Sequence, residues 1–266
     1  MASSTRYLLV ENQRCLRFDD MFLASYPRSG NTWMRLLLSD LILQKHGFDT
    51  GAKLPIPANR IISGMHRDRI EDLDSRIQLP HRVFKTHLVY NKIGRKLVRS
   101  FWKPKAIYLF RNPADSLCSF YHFNLREAEK NGLDTNNSPT TSIEEFCLIK
   151  VERWCEHLES YIKAKKNNKQ KLLFISYESM HSNLIPILQK AMNFLGISVD
   201  EIMCKKAIEN HRFENKNPLS PSFFRKGKIG SSKEELPPET ISLIEEKAIQ
   251  IYNEARKLED SNLQKV

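Results

Sequence analysis

The chain has 266 residues, 41% of them hydrophobic, and a formal net charge of +11 from 42 Lys and Arg against 31 Asp and Glu. That length and apolar share are enough for one substantial core, so a single domain spanning residues 1–266 is expected. No run approaches the roughly 20 apolar residues of a membrane-spanning helix, and Arg6, Glu11, Arg14 and Arg17 interrupt the stretch a secretory leader would occupy.

The positive balance suits a polyanionic ligand, and by itself it would also suit nucleic acid. The basic residues are dispersed, however. The densest group, from Lys163 to Lys171, alternates with Asn and Gln like a solvated helix end. With no zinc-finger spacing and no aromatic ribonucleoprotein motif, neither a nucleic-acid partner nor a membrane partner is expected. Cys15, Cys118, Cys147, Cys155 and Cys204 are odd in number and contain no Cys-x-x-Cys pair. That pattern predicts no disulfide framework and no zinc site, and a reducing, cytoplasmic setting. His122, His157, His181 and His211 show no spacing of a metal cluster either.

In chain order, the first element is an apolar strand over residues 22–26, followed by Pro27-Arg28-Ser29-Gly30-Asn31 and a helix over 32–45. A strand-turn-helix of this kind directs backbone N–H groups and the positive end of the helix dipole at one point. Arg28, Ser29 and Thr32 add side-chain donors there, so the point suits a phosphate. The turn lacks the Gly-Lys-Ser/Thr of a nucleotide P-loop, because Asn31 follows Gly30, which disfavours ordinary ATP or GTP use. A second strand over 83–86 ends in Lys85-Thr86-His87, ahead of a helix over 92–100. The third strand, 106–110, exits through Arg111-Asn112-Pro113 into a helix over 114–130. Pro113 fits a first helical turn, where its missing N–H goes unused. Arg111 and Ser119, about two helical turns apart, can bracket a phosphate. A helix over 143–165, a strand over 172–177 and helices over 179–195, 200–210 and 239–258 complete the pattern. Short apolar strands alternating with helices predict an α/β three-layer sandwich with a central, mostly parallel sheet. Right-handed crossovers then bring the Arg28 and Arg111 loops to the same carboxyl edge.

Four of these segments together resemble the cytosolic-type sulfotransferase family, small-molecule enzymes that move a sulfonyl group from 3'-phosphoadenosine 5'-phosphosulfate (PAPS). Tyr26-Pro27-Arg28-Ser29-Gly30-Asn31-Thr32-Trp33 is similar to the family's 5'-phosphosulfate loop, and Lys85-Thr86-His87 to its catalytic triplet. Arg111 through Ser119 resembles its 3'-phosphate motif, and Phe224-Arg225-Lys226-Gly227-Lys228-Ile229-Gly230 its Arg-Lys-Gly loop. The resemblance implies the P-loop-like sulfotransferase fold, PAPS as co-substrate, 3'-phosphoadenosine 5'-phosphate (PAP) as product and no metal. It implies His87 as general base, with Lys85 and Arg28 on the sulfonate and bridging oxygens. Ser29, Gly30, Asn31 and Thr32 would cradle the 5'-phosphate, Trp33 would stack on adenine, and Tyr177 would line the nucleotide site. Arg111, Ser119, Arg225, Lys226 and Gly227 would hold the 3'-phosphate.

Several positions depart from the family pattern. Arg28 stands where many members carry Lys, which exchanges a rotatable point charge for a fixed fork. Ser231-Ser232-Lys233 replaces Asp-Trp-Lys, and Pro237 and Pro238 occupy the Thr-Val places of the usual dimer motif. His211-Arg212-Phe213 stands in for Thr-Ser-Phe, so His211 would replace a nucleotide-contacting hydroxyl. The acceptor walls fall in residues 50–78, rich in Asp and Arg, and in the polar stretch 132–142. A carboxylate-bearing wall would suit a cationic acceptor, as in the similar sulfotransferases that tailor saxitoxin-type guanidinium alkaloids. Two alternatives stay open at this level: a P-loop kinase-like phosphotransferase, and a non-catalytic binder of phosphorylated ligands.

Overall fold

A computed structural model describes residues 2–93, 102–130, 142–168, 171–212 and 227–263. The elements are α1 (Ala2–Arg14), β1 (Met21–Ser25), α2 (Asn31–Lys45), β2 (Ser63–Gly64), β3 (Val83–Thr86), β4 (Lys105–Phe110) and α3 (Pro113–Lys130). They continue with α4 (Ile143–Asn167), β5 (Leu172–Ser176), α5 (Tyr177–Ser182), α6 (Leu184–Phe194), α7 (Glu201–Asn210) and α8 (Pro238–Leu263).

The five strands form one sheet in the order β2-β3-β1-β4-β5, and every neighbouring pair is parallel. β1 is central. Met21, Phe22, Leu23 and Ala24 pair with Val83 to Thr86 on one side and with Lys105 to Tyr108 on the other. All five β1 residues are buried because helices cover both faces. Side chains alternate across the sheet. Met21 and Leu23 therefore join a core with Leu37, Leu41, Leu188 and Ala207 of α2, α6 and α7. Phe22 and Ala24 join the opposite core with Trp154, Tyr161 and Ile244 of α4 and α8.

The sequence-derived strands match four of the five observed, with shifts of a residue at their ends. The two-residue edge strand β2 and the N-terminal helix α1 carry no apolar periodicity strong enough to announce them. The helix expected over 179–195 is two helices. Asn183 leaves helical geometry at φ −148°, and Pro186 in the first turn of α6 has no N–H to continue a ladder from α5. Most of the helix expected over 92–100 lies outside the described residues; of its start, Lys92 belongs to a 3-10 turn, Tyr90–Lys92, and Ile93 is extended. Because β1, β3 and β4 are adjacent and parallel, the segments leaving Ser25, Thr86 and Phe110 emerge side by side at one edge of the sheet. The site lies there.

Candidate active site

Gly30 caps α2 in the left-handed region, at φ 90°. A Cβ at this position would meet Tyr177 Cδ2 at 2.7 Å, so both conformation and space select glycine. Among the described residues Arg28 is the one non-glycine with positive φ, at 68°. That turn carries its guanidinium toward α3, where Nε donates to Ser119 Oγ at 3.2 Å and the group lies 5.1 Å from the Phe123 ring centroid. Ser29 Oγ is buried and, among the described residues, has no hydrogen-bond partner. Asn31 turns its amide inward, donating to Leu23 O and Ser25 Oγ, each at 3.1 Å, and so braces the end of β1.

Arg28, Gly30, Asn31, Thr32 and Trp33 line one pocket together with Lys85, His87, Arg111, Ser119, Tyr177 and Gly227. Of the residues singled out from sequence, Ser29 is buried beneath this surface, and Arg225 and Lys226 lie outside the described residues. Four cations, Arg28, Arg67, Lys85 and Arg111, face the cavity, and among the described residues no carboxylate does.

His87 Nδ1 lies 2.8 Å from the carbonyl oxygen of Ser25. A carbonyl only accepts, so Nδ1 carries the hydrogen and Nε2 keeps its lone pair. Burial, reinforced by the charge of Lys85, holds the imidazole well below its ordinary pKa of 6.5. The ring is therefore neutral at physiological pH. Lys85, two residues earlier, is lowered to about 8, first by desolvation and then by the charges of Arg35 and Arg67. An anion placed among these cations would restore its full charge.

The far end of the pocket is built by α3 and the segment approaching α8. Arg111 is 7% exposed, lies 4.3 Å from the Tyr177 ring centroid and donates to Lys228 O at 2.9 Å, while its Nε is buried without a partner among the described residues. Asp115 accepts from Gly230 N at 2.7 Å and from Ser232 N at 2.8 Å, so one carboxylate holds the 227–232 stretch against α3. Trp33 and Tyr177 meet edge to face at 6.1 Å, with His181 packed 5.1 Å from Trp33. Ser29 Oγ, beneath the pocket surface, and Arg111 Nε, on a residue of its lining, are two buried donors without a partner among the described residues. Both fit a ligand carrying two phosphate groups.

Sequence reasoning missed His157 and Asp115, which act on the pocket from outside it. His157 stands in no motif; Asp115 lies within the Arg111-to-Ser119 segment, where it is legible only as an acid in the first turn of α3. His211, expected at the nucleotide, instead places Nε2 2.9 Å from Asp40 Oδ2 between α2 and α7 and does not line the pocket. Two of the carboxylates expected to receive a cationic acceptor, Asp68 and Asp74, are engaged elsewhere. Asp68 pairs with Arg35 at 3.6 Å and accepts from Gly64 N at 2.7 Å, and Asp74 pairs with Arg76 at 2.8 Å. Of residues 50–78, the cation Arg67 is the one lining the pocket among the described residues.

Comparison with known proteins agrees with this architecture. The family model described as the sulfotransferase domain matches residues 18–260. The chain is 31% identical over 245 residues to sulfotransferase 1B1 of Canis lupus familiaris, covering 82% of this chain and 78% of that protein. It is 29% identical over 249 residues to the amine sulfotransferase of Oryctolagus cuniculus, covering 84% and 77%. The crystal structure of mouse sulfotransferase SULT7A1 complexed with PAP superimposes with a TM-score of 0.68 at 23% identity, covering 98% of this chain and 94% of that one. The fold and site thus define a group-transfer enzyme with a polyanion pocket at the carboxyl edge of a parallel sheet. The chain belongs to the sulfotransferase family, as a cytosolic-type, PAPS-dependent member. Among the described residues no helix is long and apolar enough to cross a membrane.

Proposed function

We propose that this protein, acting as one domain, transfers a sulfonyl group from PAPS to a hydroxyl or amine nitrogen of a small molecule, with His87 as general base. The observation that carries this reading is the His87 imidazole, its Nδ1 held by the Ser25 carbonyl oxygen, in the lining of a pocket with four cations and, among the described residues, no carboxylate. His87 Nε2 takes the acceptor's proton as the new bond to sulfur forms and the bond from sulfur to the phosphate oxygen breaks. Arg28 and Lys85 hold the sulfonate and the departing oxygen, whose charge grows in the transition state. Arg28 supplies fixed charge and no proton. Ser29 Oγ and the N–H groups opening α2 hold the 5'-phosphate, and Trp33 and Tyr177 flank the adenine. Arg111, Ser119 and Gly227, with Arg225 and Lys226, hold the 3'-phosphate. PAP is the product released.

The acceptor side of the pocket presents Phe120, Phe123 and Arg67. That wall supports a flat, neutral or phenolic acceptor in preference to a guanidinium alkaloid, which would face the like charge of Arg67, itself paired with Glu127 at 3.5 Å. The test is calorimetric titration with PAP beside ATP and magnesium, followed by a PAPS transfer assay on phenols and arylamines. Tight PAP binding with sulfonated product supports the proposal. Binding of ATP alone replaces it with a kinase-like function, and PAP binding with no transfer to any acceptor leaves a binder of phosphorylated ligands.

A further inference from the structure

Outside the reaction machinery, three potential metal-binding side chains converge where α3 meets the approach to α8. Cys118 and His122 are one helical turn apart on α3, and Glu235 directly follows the 3-10 turn Ser231–Glu234. Cys118 Sγ lies 3.5 Å from Glu235 Oε2, and His122 Nε2 lies 2.5 Å from the same oxygen. All three candidate ligand atoms fall within 4.8 Å of one another. Cys118 is fully buried, while the His122 and Glu235 side chains are 31% and 17% exposed, which opens one side of the cluster to solvent.

We propose that Cys118, His122 and Glu235 form a binding site for a zinc-class divalent cation that ties α3 to the segment preceding α8. Bonds of about 2.0 to 2.3 Å around a tetrahedral ion separate neighbouring ligand atoms by roughly 3.3 to 3.8 Å. The sulfur-to-oxygen distance already has that value, and the imidazole has to withdraw by about 1 Å, which a χ adjustment of the part-exposed His122 side chain supplies. Thiolate, imidazole and carboxylate together form a borderline-soft set that favours zinc over magnesium or calcium. Three protein ligands with a solvent-facing side leave the fourth position to water. On binding, Cys118 and His122 release whatever protons they carry at Sγ and Nε2 to solvent, and no redox change is involved.

The ion's place indicates its consequence. Ser119 adjoins Cys118, Ser231 lies one turn before Glu235, and both line the nucleotide pocket. Asp115, one turn earlier on α3, joins the same two segments through Gly230 N and Ser232 N. A metal at the second junction would hold the wall of the pocket without touching the transferred group. The proposal itself does not depend on the sulfonyl-transfer reading, because its test reads metal binding directly.

The test is titration of the chelator-treated full chain with Co2+, followed by visible absorption and then displacement with Zn2+. One equivalent giving intense tetrahedral d–d bands and a thiolate-to-cobalt charge-transfer band, bleached by zinc, is the expected result. Cys118→Ser should remove the charge-transfer band, and His122→Ala should weaken zinc binding by at least about 100-fold, the upper end of what outer partners cost. Cys147→Ser and Cys15→Ser should leave both readouts unchanged. A wild-type protein with no thiolate band overturns the site, as does a band that survives Cys118→Ser or disappears with Cys15→Ser.

Discussion

His157 Nε2 stands 3.1 Å from the backbone carbonyl oxygen of His87, seventy positions away in the chain. The carbonyl requires a donor, so Nε2 carries the hydrogen and Nδ1 accepts from the Tyr108 hydroxyl at 2.9 Å. A buried histidine of α4 thus fixes the strand exit that carries His87. Removing it leaves a buried carbonyl unmatched, at a cost of about 1 to 3 kcal/mol. His157→Ala should lower kcat roughly tenfold while leaving PAP affinity within about twofold, and should shift the acid limb of the pH–rate profile. An unchanged profile with a uniform loss of folded protein would reduce His157 to packing.

The same residue makes acid stability testable. Burial lowers His157 to about 4, so between pH 6.5 and about 4 the unfolded chain binds a proton that the native state refuses. Stability therefore falls as pH drops through that window, by up to about 3 kcal/mol from this group. Urea midpoints measured across that range should decline, and His157→Gln should decline less steeply.

His87→Ala should reduce sulfonyl transfer by about 100-fold to 10,000-fold, the range of a general base, with PAP binding nearly unchanged. Near-normal turnover in this variant would remove His87 from the reaction.

Two limbs are expected in kcat/KM for PAPS, which reports groups of the free enzyme. His87 is held below 6.5, so activity persists to a pH lower than an ordinary histidine allows. Lys85 loses its charge above about 8, so donor capture should decline there. Lys85→Arg should carry the plateau to higher pH, since guanidinium does not titrate. A wild-type profile flat to pH 10 would contradict this account of Lys85.

Arg111→Ala should weaken PAP binding by about 10-fold to 100-fold, the value of charge-assisted hydrogen bonds, and AMP binding by less than about threefold. Calorimetry of both ligands distinguishes the two, and equal losses would place Arg111 away from the 3'-phosphate.

Gly30→Ala should destabilise the protein by about 1 to 3 kcal/mol through its left-handed φ and the close approach of Tyr177, and should abolish nucleotide binding. A thermal melt and a PAP titration measure the two effects separately.

Much of the molecule was legible in short stretches of chain. The apolar runs of β1, β3, β4 and β5, the Pro27-to-Gly30 turn, the Lys85-Thr86-His87 strand exit and the Arg111 exit into α3 all express preferences set within about ten residues. Backbone sterics, helix capping and strand burial act at that range, so the α/β class, the sheet edge and the candidate chemistry follow from sequence alone. Tertiary structure decided what depends on contacts between distant segments. Tyr177 excludes any Cβ at Gly30, and Asp115 seizes the 227–232 stretch. Asp40 claims His211, while Arg35 and Arg76 pair with Asp68 and Asp74. His157 reaches His87 from α4, and Glu235 reaches Cys118 and His122 from the far side of the sequence, a grouping that the cysteine and histidine spacings do not predict. Such pairings carry no periodic signature, because the side chains involved acquire their partners, and their protonation, only when the sheet and its two helical layers have closed around them.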